Sequence, residues 1–100
     1  MSMREKLSDD VIAEFVSTHP GWSRKNDSIS RTFKFPDYSS GVGFVMRMAL
    51  AAEKHDHHPD ILLCWDRIEV TTWTHDSGGI TALDTAVAEV ADKLYESQRK

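Results

Sequence analysis

Two β-prone runs, Ile61 to Trp65 and Ile68 to Thr74, are separated only by the polar pair Asp66-Arg67. So short a spacer restricts them to an antiparallel hairpin. With Asp66-Arg67 as its tip, Trp65 faces Ile68, and counting outward sets His58 opposite His75. Directly opposed residues of such a pair have Cβ atoms about 4.5–5.5 Å apart. The hairpin therefore predicts a meeting of imidazoles from two separated segments. The stretch before it, Glu53-Lys54-His55-Asp56-His57-His58-Pro59-Asp60, holds three of the five histidines in the chain.

The remaining pattern supplies helices and a second hairpin. Ser8 or Asp9 caps a first helix whose apolar face carries Leu7, Val11 and Phe15 with Ile12 and Val16. His19-Pro20-Gly21 ends it. Trp22 to Lys25 reads as a short strand, with Asn26-Asp27 as the turn. The next strand alternates Ile29, Arg31, Phe33 and Phe35 with Ser28, Ser30, Thr32 and Lys34. Pro36 to Ser40 opens a second helix that runs to about Glu53, with Phe44, Met48, Ala51 and Ala52 as its buried stripe. After the Ser77-Gly78-Gly79 loop, Thr81-Ala82-Leu83-Asp84 resembles a capping box with aspartate in place of glutamate. The third helix places Leu83, Val87, Val90 and Leu94 along one face. The order αββαββα predicts an α+β fold: a four-stranded antiparallel sheet with three helices on one face.

One hundred residues fit a single small domain spanning 1–100. A net charge of −4 with no lysine/arginine stripe argues against a nucleic-acid partner or an anionic membrane surface. No apolar stretch reaches the ~20 residues of a membrane span, and the polar N-terminus lacks a signal-peptide core. The lone cysteine, Cys64, reads as a small buried hydrophobe in a reducing, cytoplasmic setting. Both phases of the Ile61–Thr74 hairpin carry apolar bulk, which predicts that its second face meets another subunit.

Three chemistries compete for His57, His58 and His75. Three imidazoles can hold zinc with an open position, although adjacent residues of an extended segment point in opposite directions. Asp56 and Asp60 could serve as ligands or orient the rings. Nucleophilic catalysis has only Cys64 to offer, placed mid-strand and away from the histidines. Acid/base work without a cofactor suits a side chain of unperturbed pKa about 6.5. Pro59 stiffens the loop and biases His58 to an extended backbone. Thr74, Asp76 and Ser77 flank His75 with hydrogen-bonding groups, while Glu53 and Asp56 either fix tautomers or form a solvated helix end.

The run Ala52 to Asp60, followed after one hairpin by Thr74-His75-Asp76 and a glycine loop, resembles the pterin-4a-carbinolamine dehydratase family. The resemblance extends to Trp22, to Arg31-Thr32-Phe33-Lys34-Phe35, to Phe44–Leu50 and to Asp84. It departs at Ile61, where relatives often carry an aromatic residue, and at Gly41, where alanine is common. It implies the αββαββα fold, a homodimer or homotetramer, and a pterin substrate. It also implies dehydration of 4a-hydroxytetrahydropterin to quinonoid dihydropterin in tetrahydrobiopterin recycling, with no cofactor and no metal. Carried over by position, His57, His58 and His75 are the active-site histidines. Pro59, Thr74, Asp76 and Ser77 are pterin contacts, and Glu53, Asp56 and Asp84 supporting carboxylates. Two alternatives stand beside it: a non-catalytic dimerisation or assembly module on the same fold, and a small metal-binding protein built on His55, His57 and His75.

Overall fold

The computed structural model describes residues 2–99. Its elements are α1 (Asp9–Thr18), β1 (Ser23–Lys25), β2 (Ser28–Lys34), α2 (Tyr38–His55), β3 (Asp60–Leu63), β4 (Arg67–Thr72), a 3-10 turn (His75–Ser77) and α3 (Ala82–Arg99). The four strands form one antiparallel sheet in the order β1-β2-β4-β3. The expected α+β architecture is present. Ser8 caps α1 by accepting from the Val11 N–H, and Asn26-Asp27 turn β1 into β2, with Asn26 in the left-handed region at φ 53°.

Alternation along the two central strands decides which face is covered. Ile29 and Phe33 of β2 share a face with Ile68, Val70 and Thr72 of β4, and all five are fully buried. Phe44 and Met48 of α2, and Val87, Ala88 and Ala91 of α3, pack on that face. The aromatic residues concentrate there: the Phe33 ring lies 4.9 Å from Phe44 and 5.0 Å from Tyr95. Arg31 occupies the same inner face. Its guanidinium donates to Asp92 at 2.7 Å, a carboxylate that also takes the Trp22 indole N–H at 2.8 Å. Pairing of this kind is what allows a charge to sit beside a core.

Several sequence expectations shift in detail. The Cys64 N–H donates to the Arg67 carbonyl at 2.9 Å, so the hairpin tip is Trp65-Asp66 rather than Asp66-Arg67. The ladder pairs Asp60 with Thr71; continued two residues outward it sets His58 level with Trp73, not His75. The slip is two residues, so no side chain changes face. Val11 is exposed, since α1 buries only Ile12 fully. Ala51 is half-buried. In α3 the buried positions are Asp84, Val87, Ala88 and Ala91, while Leu83, Val90 and Leu94 lie at the margins. Cys64 is half-buried. Within the single chain the β3 region leaves Leu62, Leu63 and Trp65 exposed, Trp65 by 77%.

Asp37 caps α2 by accepting from the Ser40 N–H at 2.7 Å. That bond, with a smaller contribution from the Ser40 hydroxyl, holds its carboxyl below the usual aspartate range. A depressed pKa in the folded state contributes stability that is complete above the unfolded value and lost as pH falls through the folded one. Asp37→Asn keeps a capping acceptor but cannot titrate. Urea denaturation at neutral and acid pH should therefore show a larger acid loss in the native protein than in Asp37→Asn.

Candidate active site

The histidine segment leaves α2 abruptly. Asp56 takes a left-handed conformation at φ 52°, its N–H bonds back to Ala52 and Glu53, and the His57 N–H reaches the Ala52 carbonyl at 3.2 Å. This is a Schellman-type ending, and aspartate is among the few non-glycine residues that tolerate it. α2 thus runs to His55, past the expected end near Glu53, and Lys54 and His55 stand in its last turn. The chain reverses in one residue, and His57-His58-Pro59 lead straight into β3.

The other arm comes from the end of β4. Thr74 pairs with Gly79, its N–H donating to the Gly79 carbonyl at 2.9 Å. Residues 75–78 are closed into a tight loop, and Gly78 supplies the left-handed position at φ 71°. His75 and Asp76 project from this loop and are exposed.

Between the two arms lies a cleft of about 210 Å³ lined by Arg4, Asp56, His57, His58, Trp73, Thr74, His75 and Asp76. All three histidines picked out by the hairpin argument line it, although the register that gathers them differs from the expected one. Glu53, Pro59, Ser77 and Asp84 do not line it. Pro59 turns the chain into β3, and the Ser77 hydroxyl donates to the Arg4 carbonyl at 2.5 Å. Cys64, at the hairpin tip, stands at the opposite end of the sheet. Arg4 and Trp73 were not among the expected site residues. Arg4 lies far away in sequence, and Trp73 reads as part of a strand's apolar alternation; only the true hairpin register would have pointed to Trp73.

Asp84 is the buried anchor behind the cleft. Its side chain is fully buried, and its two oxygens accept four hydrogen bonds. Oδ1 takes the Thr72 hydroxyl at 2.7 Å and His57 Nε2 at 2.7 Å. Oδ2 takes the Thr74 hydroxyl at 2.8 Å and the Thr81 N–H at 2.9 Å. The last bond, with the Leu83 N–H donated to the Thr81 hydroxyl at 3.2 Å, completes the aspartate capping box on α3. The acceptor role of Asp84 places a proton on His57 Nε2 and leaves Nδ1 as the nitrogen open to a ligand. His57 is only 11% exposed in its side chain. His58 contrasts with it: its Nε2 meets Glu53 Oε1 at 2.7 Å, yet the ring is 59% exposed. Thr74, for its part, turns its hydroxyl inward to Asp84 and Thr81.

Among the described residues, no three His, Cys, Asp or Glu side chains converge closely enough to share a metal ion, and no helix is long and apolar enough to cross a membrane.

Asp84→Ala leaves two hydroxyls, a backbone N–H and an imidazole N–H without their acceptor. The three fully buried groups, on Thr72, Thr74 and Thr81, each cost about 1–3 kcal/mol when unpaired, so urea denaturation should show a loss of at least about 3 kcal/mol. A loss below about 1 kcal/mol would mean that water or a neighbour replaces the carboxylate.

Residues 5–94 match the family model described as Pterin 4 alpha carbinolamine dehydratase. A protein of Mesorhizobium japonicum, provisionally named a pterin-4-alpha-carbinolamine dehydratase, is 48% identical over 94 residues, covering 92% of this chain and 96% of its own. A protein of Rhizorhabdus wittichii with the same provisional name is 43% identical over 94 residues, covering 92% and 97%. Among solved structures, the transcriptional coactivator/pterin dehydratase of Brucella melitensis superposes with a TM-score of 0.87 at 34% identity, covering 91% of this chain and 99% of that one. A pterin dehydratase-like protein identified as a RuBisCO assembly factor in the alpha-carboxysome has a TM-score of 0.62 at 20% identity, covering 74% and 86%, and shares the fold.

Proposed function

Since this chain belongs to the pterin-4-alpha-carbinolamine dehydratase family, we propose that it dehydrates 4a-hydroxytetrahydropterins by histidine acid/base catalysis in the cleft between α2 and the His75 loop. The observation that carries this reading is the convergence of His57, His58 and His75 on one cleft, with His57 fixed from behind by buried Asp84.

The reaction breaks the C4a–O bond and forms a C4a=N5 double bond. The departing oxygen takes up a proton and leaves as water, while N5 loses its proton. One acid and one base are needed, about two bonds apart. His57, whose Nε2–H is held by Asp84, offers Nδ1 as the base for the N5 proton. Asp84 stabilises the imidazolium that results, much as a carboxylate orients and supports the base of a hydrolase triad. His75, free on its loop, delivers a proton to the leaving hydroxyl. His58 and the wall made by Trp73 hold the pterin ring, and Glu53 keeps the His58 ring turned toward the cleft. Asp56 fixes the backbone reversal that aims the pair, Thr74 and Asp76 line the cleft, and Pro59 and Ser77 support its two arms from outside. Recycling of tetrahydrobiopterin after aromatic hydroxylation is the setting such an activity fits.

Each acid/base role is worth roughly 10²–10⁴-fold in rate. Stopped-flow absorbance of carbinolamine breakdown should show turnover falling by that factor in His57→Ala and in His75→Ala, with unchanged rates in the presence of chelator. Near-native rates in both variants would reject the assignment. Native protein that fails to accelerate breakdown at all would favour the assembly-module alternative, a role reported for the more distant RuBisCO assembly factor.

A homo-oligomer belongs to the same reading. β3 is an edge strand bearing exposed Leu62 and Leu63, with Trp65 beyond it. An apolar edge of this kind is a template for pairing with another chain. Size-exclusion chromatography with light scattering should give a dimer or tetramer for the native protein and a smaller species for Leu62→Lys. A native monomer at micromolar concentration would overturn the oligomer.

A further inference from the structure

The chain before α1 is tied along the His75 loop rather than left loose. The Ser77 hydroxyl bonds the Arg4 carbonyl at 2.5 Å, and the Leu7 N–H donates to the Ile80 carbonyl at 2.9 Å. Lys6 lies so close over Gly79 that a Cβ there would meet its Cε at 3.0 Å. Nearer the N-terminus, the Arg4 N–H is held by the Ser2 hydroxyl at 3.1 Å. These contacts fix the backbone of Arg4, one of the residues that line the histidine cleft. Two carboxylates, Asp56 and Asp76, line the same cleft. Neither forms an ion pair with Arg4, and its guanidinium has no acidic partner among the described residues.

We propose that Arg4 is a specificity-determining residue that selects pterins bearing an anionic group on the C6 substituent. The proposal rests on the pterin reading of the cleft. C6 is bonded directly to N5, so the first atom of a substituent there lies two bonds from the nitrogen that loses its proton. In a cleft of about 210 Å³, whatever borders the histidines also borders that substituent. Of the lining side chains, Arg4 is the only one that carries a permanent positive charge, and its planar fork of donors matches a carboxylate or phosphate. Trp73, half-buried and lining the same cleft, offers a flat apolar wall on which a ring can stack while the anion reaches the guanidinium.

The test compares pterin-6-carboxylate with 6-hydroxymethylpterin, which share the ring and differ in charge, by isothermal titration calorimetry on the native protein, Arg4→Gln and Arg4→Lys. The strap's ties at residue 4 are backbone ones, so both variants should keep the native far-UV circular dichroism. The expected result is a preference of about fivefold for the carboxylate in the native protein, near the upper end for a partly exposed ion pair. The preference should shrink with added salt, vanish in Arg4→Gln and return in part in Arg4→Lys. Equal binding of both ligands by the native protein, or a preference that survives in Arg4→Gln, overturns the role of Arg4 and leaves the pterin reading intact. Failure of the native protein to bind either pterin overturns both.

Discussion

The carboxylate of Asp84 joins three stretches that are distant in sequence: the histidine segment after α2, the end of β4 and the start of α3. Burying such a group without partners costs several kcal/mol, and removing one member of a buried pair leaves the other uncompensated. Here both oxygens are filled, by Thr72, Thr74, Thr81 and His57. The fold therefore fixes His57 with the same bonds that start a helix and finish a strand. Little of the site can move relative to this point unless the helix start moves with it.

Adjacent residues consequently live under different rules. His57 stands against the buried carboxylate with little exposure, whereas His58 meets Glu53 at the surface, where a charged hydrogen bond competes with water. His75 sits on a loop closed by one strand-like bridge and a left-handed glycine. The cleft thus combines one imidazole of set tautomer with two that face solvent, a division that suits the proposed pairing of a fixed base with an acid able to exchange its proton with solvent.

Much of this was legible in the sequence because the strands are short and their turns carry strong signals. Alternation in Ser28–Lys34 is clean enough to separate its two faces, and the Thr81–Asp84 capping box is readable from residue types alone. The hairpin tip was not. Asp66-Arg67 looks like a polar loop, but Arg67 remains in the strand, with its guanidinium bonded to Glu69 and Asp66, and the turn falls on Trp65-Asp66. Polarity marks turns poorly where a long side chain can keep its charge in water from a strand position. The stripes of α1 and α3 were drawn too wide for a related reason, although Leu7, Ile12, Phe15, Val16, Val87 and Leu94 do join or pack against the core. A small domain buries little more than one row of each helix, and apolar residues beside that row stay exposed, as Val11 does, or only half-buried, as Val90 is. The contribution of Arg4 to the cleft had no local signal, since it depends on a strap crossing a loop more than seventy residues away.

The burial of Asp84 behind only one of the three histidines bears on how such proteins diverge. Because the loop bearing His75 and the exposed ring of His58 contribute almost nothing to the core, a lineage can exchange either one while its scaffold endures. Position 57 is different: any replacement must still answer an interior acid. Descendants recruited to new duties should accordingly shed their solvent-facing imidazoles early and retain the anchored one longest, as a relic of ancestry rather than a sign of present chemistry.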